Sequence, residues 1–157
     1  LCKVEQNRTT ARDRLLRLAA LFGQNAVANT MAVRLRLSNK ESRRIADALS
    51  VTPALSPAMT IRERRRLLYS LEVGAAEDRI RLAWAASPGD DRWANWLEMN
   101  QRFDRPVFPL TGQDVDWLRE GPDIGEVLKL VEAWWIAEDF APDRTACLGQ
   151  LVRLKPA

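Results

Sequence analysis

Apolar residues recur along this chain at three- and four-residue intervals, the spacing that lines one face of a helix. Leu15, Leu18, Ala19 and Phe22 form the first such face, and Gly23 is expected to end it. Ser38 and Glu41 have the S-x-x-E spacing of a capping box, which predicts a helix with Ile45, Ala48 and Leu49 inward. Pro53 and Pro57 mark the loop after it. Thr60 and Glu63 repeat the capping pattern ahead of Leu67, Leu68 and Leu71, and Gly74 is expected to close that helix. Ala76, Ile80, Ala83 and Trp84 make the next face, stopped by Ser87-Pro88-Gly89.

The second half continues in the same period. Asp90 or Asp91 is placed to cap a helix carrying Trp93, Trp96 and Leu97. The stretch from Arg105 to Pro109 reads as extended, because residues before proline avoid the helical region. Thr111 is expected to cap a short helix holding Val115 and Leu118, and Gly121-Pro122 to open another. That helix shows the cleanest face: Ile124, Val127, Leu128, Val131, Trp134 and Trp135. Asp143 caps a last one with Cys147, Leu148, Leu151 and Leu154. Trp84, Trp93, Trp96 and Trp134 are expected to be packing, and Trp135 to be partly exposed. Only Val33 to Leu37 alternates like a strand, and a lone strand has no partner for its backbone, so it reads as a helix end or an extended link. The fold expected is all-α: a multi-helix, bundle-like body over residues 1–104 and a small helix-hairpin-helix-like tail over 105–157.

Composition narrows the chemistry. A chain of 157 residues, 46% apolar and 29% charged, is long enough to bury a core without disulfides or metals. No apolar run approaches the roughly 20 residues of a membrane span. Leu1 stands where an initiator Met would, and no signal-peptide core follows, so a fragment or processed product is expected. Cys2 and Cys147 make no disulfide framework, and a reducing, cytoplasmic home is expected. With no His, imidazole acid–base chemistry and His-containing zinc sites are excluded.

The net charge of +3 is unevenly spread: residues 1–81 hold 16 cations against 8 acids, and residues 82–157 hold 8 against 13. A basic half joined to an acidic one points to a polyanion-facing side. Twenty of the 24 cations are Arg, whose fork suits phosphate. A GC-rich genome also raises the Arg count, so the count alone decides nothing. The arrangement is more informative. Arg62, Arg65, Arg66 and Tyr69 stand at i, i+3, i+4 and i+7, on one helix face opposite Leu67, Leu68 and Leu71. Three guanidiniums beside a ring have the chemistry to hold phosphates and stack on a sugar or base. The same pattern also fits a solvated face with ordinary ion pairs. Arg64 falls among the apolar positions, to snorkel or to pair with a buried acid.

Gly121, Pro122 and Gly125 form a second candidate contact, since glycines admit a close backbone and a helix N-terminus receives phosphate. An ordinary αα-hairpin reads the same way, and Asp123 and Glu126 in the first turn would repel phosphate. Two patterns resemble catalytic motifs without their setting. Asp114-Val115-Asp116 has the spacing of a metal-binding acid pair, but in a helical turn the two carboxylates would lie about 200° apart. Glu77-Asp78-x-x-Arg81 has the spacing of a base-reading motif but sits downstream of where that motif belongs, and is treated as coincidence.

Taken in order, several stretches resemble the bacterial CCA-adding tRNA nucleotidyltransferases of the poly(A) polymerase family. Leu35-Arg36-Leu37-Ser38-Asn39-Lys40-Glu41 is similar to that family's L-R-L-S-N-x-E segment. Arg65 to Tyr69, Gly74 and Asp78 to Ala85 resemble its next segment, and Phe108 to Asp114 its F-P-L-x-G-x-D. Gly121-Pro122-Asp123-Ile124-Gly125, then Leu128, Glu132, Trp134-Trp135 and Phe140, resemble its ending. The likeness runs from about residue 12 to 157. It implies a helical body and tail that grip the acceptor–TΨC arm of tRNA, joined to an N-terminal head and neck of the same parent enzyme. That head would transfer CMP and AMP from CTP and ATP with Mg²⁺. The head's G-S and D-x-D strand motif does not occur in this chain, and the family's Pro-Gly-Pro turn is Glu120-Gly121-Pro122 here. With the arginine stripe and the hairpin, Lys40, Arg43 and Arg44 complete the candidate RNA contacts. No catalytic, metal or cofactor site is expected in this chain, and no membrane partner. The residues leave open a poly(A)-adding relative and a helical protein–protein interaction module that binds no nucleic acid.

Overall fold

The computed structural model describes residues 13–22, 34–115 and 122–155. These contain seven α-helices, one 3₁₀ turn and no strand. The helices are α1 (Arg14–Phe22), α2 (Asn39–Leu49), α3 (Ile61–Ser70), α4 (Val73–Ala86), α5 (Arg92–Arg102), α6 (Pro122–Ala137) and α7 (Arg144–Arg153). The chain divides into two compact units, Leu1–Phe103 and Asp104–Ala157.

Local chemistry starts the helices where the sequence places them. Ser38 and Glu41 close their capping box on α2: the Glu41 carboxylate accepts from the Ser38 N–H at 2.9 Å, and Ser38 Oγ accepts from the Glu41 N–H at 3.3 Å. Thr60 and Glu63 do the same on α3, at 2.7 and 3.3 Å. Asp143 caps α7 by accepting from the Ala146 N–H at 2.8 Å. Gly74 differs from expectation. Helix α3 ends at Ser70, and Gly74 belongs to the first turn of α4, where the Glu72 carboxylate accepts from its N–H at 3.0 Å and from that of Ala75 at 3.1 Å. A Cβ on Gly74 would stand 3.2 Å from Glu72 Oε2, so the glycine lets the carboxylate reach the helix end. The alternating stretch near residue 35 is a helix end: Arg34 is helical, Leu35 and Arg36 turn, and Arg36 takes a φ of 51°. Gly23, Val33, Leu118 and Gly121 lie outside the described residues.

In the first unit α4 packs against α1, α2 and α5. Leu67, Leu68, Ala76, Ile80, Trp84, Trp93, Trp96 and Leu97 form one apolar cluster. On α1 the most buried residues are Leu16 and Ala19, with Leu15 and Leu18 at the edge. The second unit has a separate core of Leu110, Val115, Val131, Trp135, Cys147 and Leu151. Trp135, expected to be partly exposed, is 3% exposed, and Trp134 beside it is the half-buried one. The Trp135 Nε1–H donates to the Pro142 carbonyl at 2.9 Å, and its ring meets Phe108 and Phe140 edge-on at 5.5 and 5.1 Å. An indole with its N–H satisfied inside is a good core residue. Of the helix expected after Thr111, the described residues form a 3₁₀ turn, Gly112–Asp114. Asp114 caps that turn through the Thr111 N–H and is held by the Arg144 guanidinium, which ties the start of α7 to it.

Three charged side chains join the helices of the first unit. Arg44 on α2 donates twice to Asp78 on α4, from Nε to Oδ2 at 2.7 Å and from Nη2 to Oδ1 at 2.9 Å. Its Nη2 also meets Asp13 Oδ2 at 2.5 Å. Asp13 in turn accepts from the Leu15 and Leu16 N–H groups at 3.0 and 3.1 Å, capping α1. Asp78 is 4% exposed. Removal of Arg44 leaves that carboxylate buried and uncompensated. Arg44→Met should therefore lower unfolding stability by about 3 kcal/mol, the low end for breaking a buried pair because the arginine is half exposed. A urea titration followed by circular dichroism reads this.

The carboxylates that cap helices and turns set the acid limit. Burial pushes the Asp13 carboxyl up, but the Leu16 N–H, Arg44 and the Leu15 N–H together hold it below its usual range. Glu41 and Glu63 are held low chiefly by the N–H groups they cap, Asp114 by that of Thr111. A folded pKa below the unfolded one contributes stability that is present above the unfolded pKa and lost as pH falls through the folded value. With no His to titrate near neutrality, stability should be flat from about pH 7 to 5 and fall below about pH 4. Urea midpoints across that range check it, and a decline beginning near pH 6 would contradict it.

Candidate nucleic-acid interface

Helix α3 carries four arginines and one glutamate, so its own side chains leave it at +3. Its register sets Arg62, Arg65, Arg66 and Tyr69 on one side, with Leu67 and Leu68 buried opposite. Arg62 is exposed, and Arg65, Arg66 and Tyr69 are half-buried. Each of the four makes an interaction within the fold. The Arg66 charge also helps hold Glu63 low, after the Thr60 hydrogen bonds. Glu63 already caps the helix through the Thr60 N–H and hydroxyl, at 2.7 and 2.8 Å. Helix α3 itself thus supplies three guanidiniums and a ring to this face, and its one carboxylate is engaged at the helix start.

Arg64 turns the other way. It donates to the Met59 and Pro57 carbonyls at 3.0 and 2.9 Å, and its guanidinium lies 4.9 Å from the centre of the Trp96 ring. The sequence left open whether it snorkels or pairs with an acid; it does neither, bonding backbone oxygens and an aromatic face. Burial, then the neighbouring charge of Arg92, lowers its pKa.

On α2, Lys40 and Arg43 are exposed. Among the described residues neither makes an ion pair, which leaves both available to an anion. Arg44 lies on the same helix but has its fork on Asp78 and Asp13, so it serves the fold first.

The second unit offers less. Pro122 opens α6, and Gly125 is exposed with open space where a Cβ would stand. A backbone could approach there, but Asp123 and Glu126 flank it, both exposed. Residues 104–157 hold 6 Lys and Arg against 10 Asp and Glu, while residues 1–103 hold 18 against 11. The excess of positive charge therefore belongs to the first unit.

The described carboxylates of the two catalytic look-alikes are all engaged. Asp78 is held by Arg44, and Glu77 pairs with Arg81 at 2.6 Å along the helix. Asp114 is held by Thr111 and Arg144, and Asp116 lies outside the described residues. Carboxylates engaged in this way do not fit a Mg²⁺-binding pair. Among the described residues no three Asp, Glu or Cys side chains gather as a metal would require, and no helix is long and apolar enough to cross a membrane. One cation escaped the reading of the sequence. Arg79 is 4% exposed, and its place one turn after Ala76 on the buried face of α4 was the signal.

A search of protein-family models, curated proteins and solved structures with this chain gives no match.

Proposed function

We propose that this chain is the tRNA-holding helical region of a cytoplasmic CCA-adding tRNA nucleotidyltransferase. The observation that carries the reading is α3, which presents Arg62, Arg65, Arg66 and Tyr69 on one side and has a single, already engaged carboxylate of its own. The ordered likeness to the family's body and tail supplies the identity of the polyanion. Arginine forks hold phosphates and position the acceptor–TΨC arm, Tyr69 stacks on a sugar or base, and Lys40 and Arg43 extend the contact. The head that binds Mg²⁺, CTP and ATP and transfers CMP and AMP belongs to the parent enzyme outside this chain.

A helical interaction module is the second reading. Leu21, Val51, Ile61 and Val73 favour it, since all four are more than half exposed on the first unit.

Titration with labelled tRNA at several salt concentrations separates the two. Affinity should fall as salt rises, because each phosphate contact releases condensed counterions. Changing Arg62, Arg65 and Arg66 together to Ala should weaken binding to all tRNA species alike. It should also flatten the log–log salt slope by about 1 per contacting arginine. Helicity should persist, since Ala is the best helix former and the core side of α3 is untouched. A tRNA lacking its acceptor arm should bind more weakly than the whole. A folded triple variant with the parent's affinity and slope would reduce the stripe to a solvated face. The chain alone should incorporate no labelled CMP or AMP into tRNA, and incorporation would overturn the assignment of the chemistry to another domain.

A further inference from the structure

The first unit holds a hollow of about 480 Å³ between α1, α2, the loop after α2 and α4. Its walls include Ala19, Ala20, Ala48, Ala83 and Ala86, short side chains that leave the space unfilled, beside the larger Leu82. Its volume is in the range of small-molecule sites, roughly 300 to 1,000 Å³. Arg79 forms part of the wall.

Arg79 is nearly fully buried, and its guanidinium donates to the backbone carbonyls of Thr52, at 3.3 Å, and of Pro53. Among the described residues no carboxylate pairs with it. Carbonyls satisfy donors but do not cancel charge, and a buried charge without a counter-charge is costly. Burial lowers the Arg79 pKa accordingly. Five N–H donors are available on a guanidinium, so the fork retains capacity beyond these two bonds.

We propose that the hollow binds a small monocarboxylate with an apolar body, its carboxylate on Arg79 and its chain among the alanines. The guanidinium fork matches a carboxylate in shape and charge. One cation among apolar walls neutralises one negative charge. A phosphate monoester, at about −1.5 to −2, would bring more charge than the hollow balances.

Calorimetric titration of the chain with decanoate and with decanol tests this. Decanoate should bind at one site, and decanol, with the same tail and no charge, about tenfold more weakly. Ala86→Trp places a large ring at the rim from an exposed helical position and should weaken decanoate by about tenfold with the circular dichroism unchanged. Arg79→Met, where it folds, should abolish the preference for decanoate over decanol. Should it fail to fold, the alcohol comparison and Ala86→Trp decide. The triple arginine variant of α3 should bind decanoate as the parent does, because none of those residues lines the hollow. Equal binding of acid and alcohol, as at a plain apolar surface for a protein partner, would overturn the proposal. So would unchanged decanoate binding by Ala86→Trp, or no heat from decanoate on the parent chain.

Discussion

The first unit depends on one guanidinium. Arg44 reaches from α2 to Asp78 on α4 and to Asp13 at the start of α1, so three helices separated in sequence share one charged contact. Each partner has a second duty that fixes its direction. Asp13 caps α1 with the same carboxylate, and Asp78 sits on the buried side of the central helix. The neighbouring Glu41 repeats the economy by closing the α2 capping box and pairing with Arg14 of α1 at 2.8 Å. Helix starts and helix contacts are thus set by the same oxygens, which makes the placement of α1 on α2 specific where its short apolar stripe alone would permit sliding. A charged device of this kind contributes more to uniqueness than to net stability, since desolvation offsets much of the attraction.

Arginine serves the loop between α2 and α3 in another way. Arg64 and Arg79 approach it from α3 and α4 and donate to the carbonyls of Pro57, Met59, Thr52 and Pro53. Three of those oxygens belong to Pro53, Pro57 and the residue before Pro53, where the proline-rich backbone lacks N–H donors of its own and cannot form helical hydrogen bonds. Side-chain forks supply the missing donors. The abundance of Arg in this chain therefore has at least two physical meanings besides phosphate: bridging acids between helices, and satisfying backbone oxygens under a loop.

Those meanings explain what the sequence made legible. Capping boxes were readable because both partners lie within four residues, and the apolar faces of α3, α4 and α5 because their period is local. Arg44 was not readable as structural, since its partners stand 31 and 34 residues away and nothing near it distinguishes it from Arg43. Trp135 and Trp134 could not be ordered by pattern either: both border the apolar stripe, and the deciding acceptor is the Pro142 carbonyl beyond the helix end. Gly74 was misjudged because a glycine after an apolar run marks a helix end in general, while here Glu72 opens the next helix almost at once. On the candidate interface the helix and its face were legible. The division of its arginines between solvent, fold and loop was not, because that division is tertiary.

Charge distribution gives the last constraint. With the internal duties of Arg44, Arg64 and Arg79 set aside, the first unit still carries more cations than acids, while the second is acidic by four. A basic surface attracts a polyanion at long range without fixing which bases are read. Specific grip then has to come from positioned forks and a ring at short range. Helix α3 is the described element that offers both, since its register gathers Arg62, Arg65, Arg66 and Tyr69 and its one carboxylate is taken by Thr60. Its core side rests on Leu67 and Leu68, so the opposite face is held in place by packing. Under the function proposed above, a basic helix held on an apolar base positions a phosphate backbone without rearranging its own core.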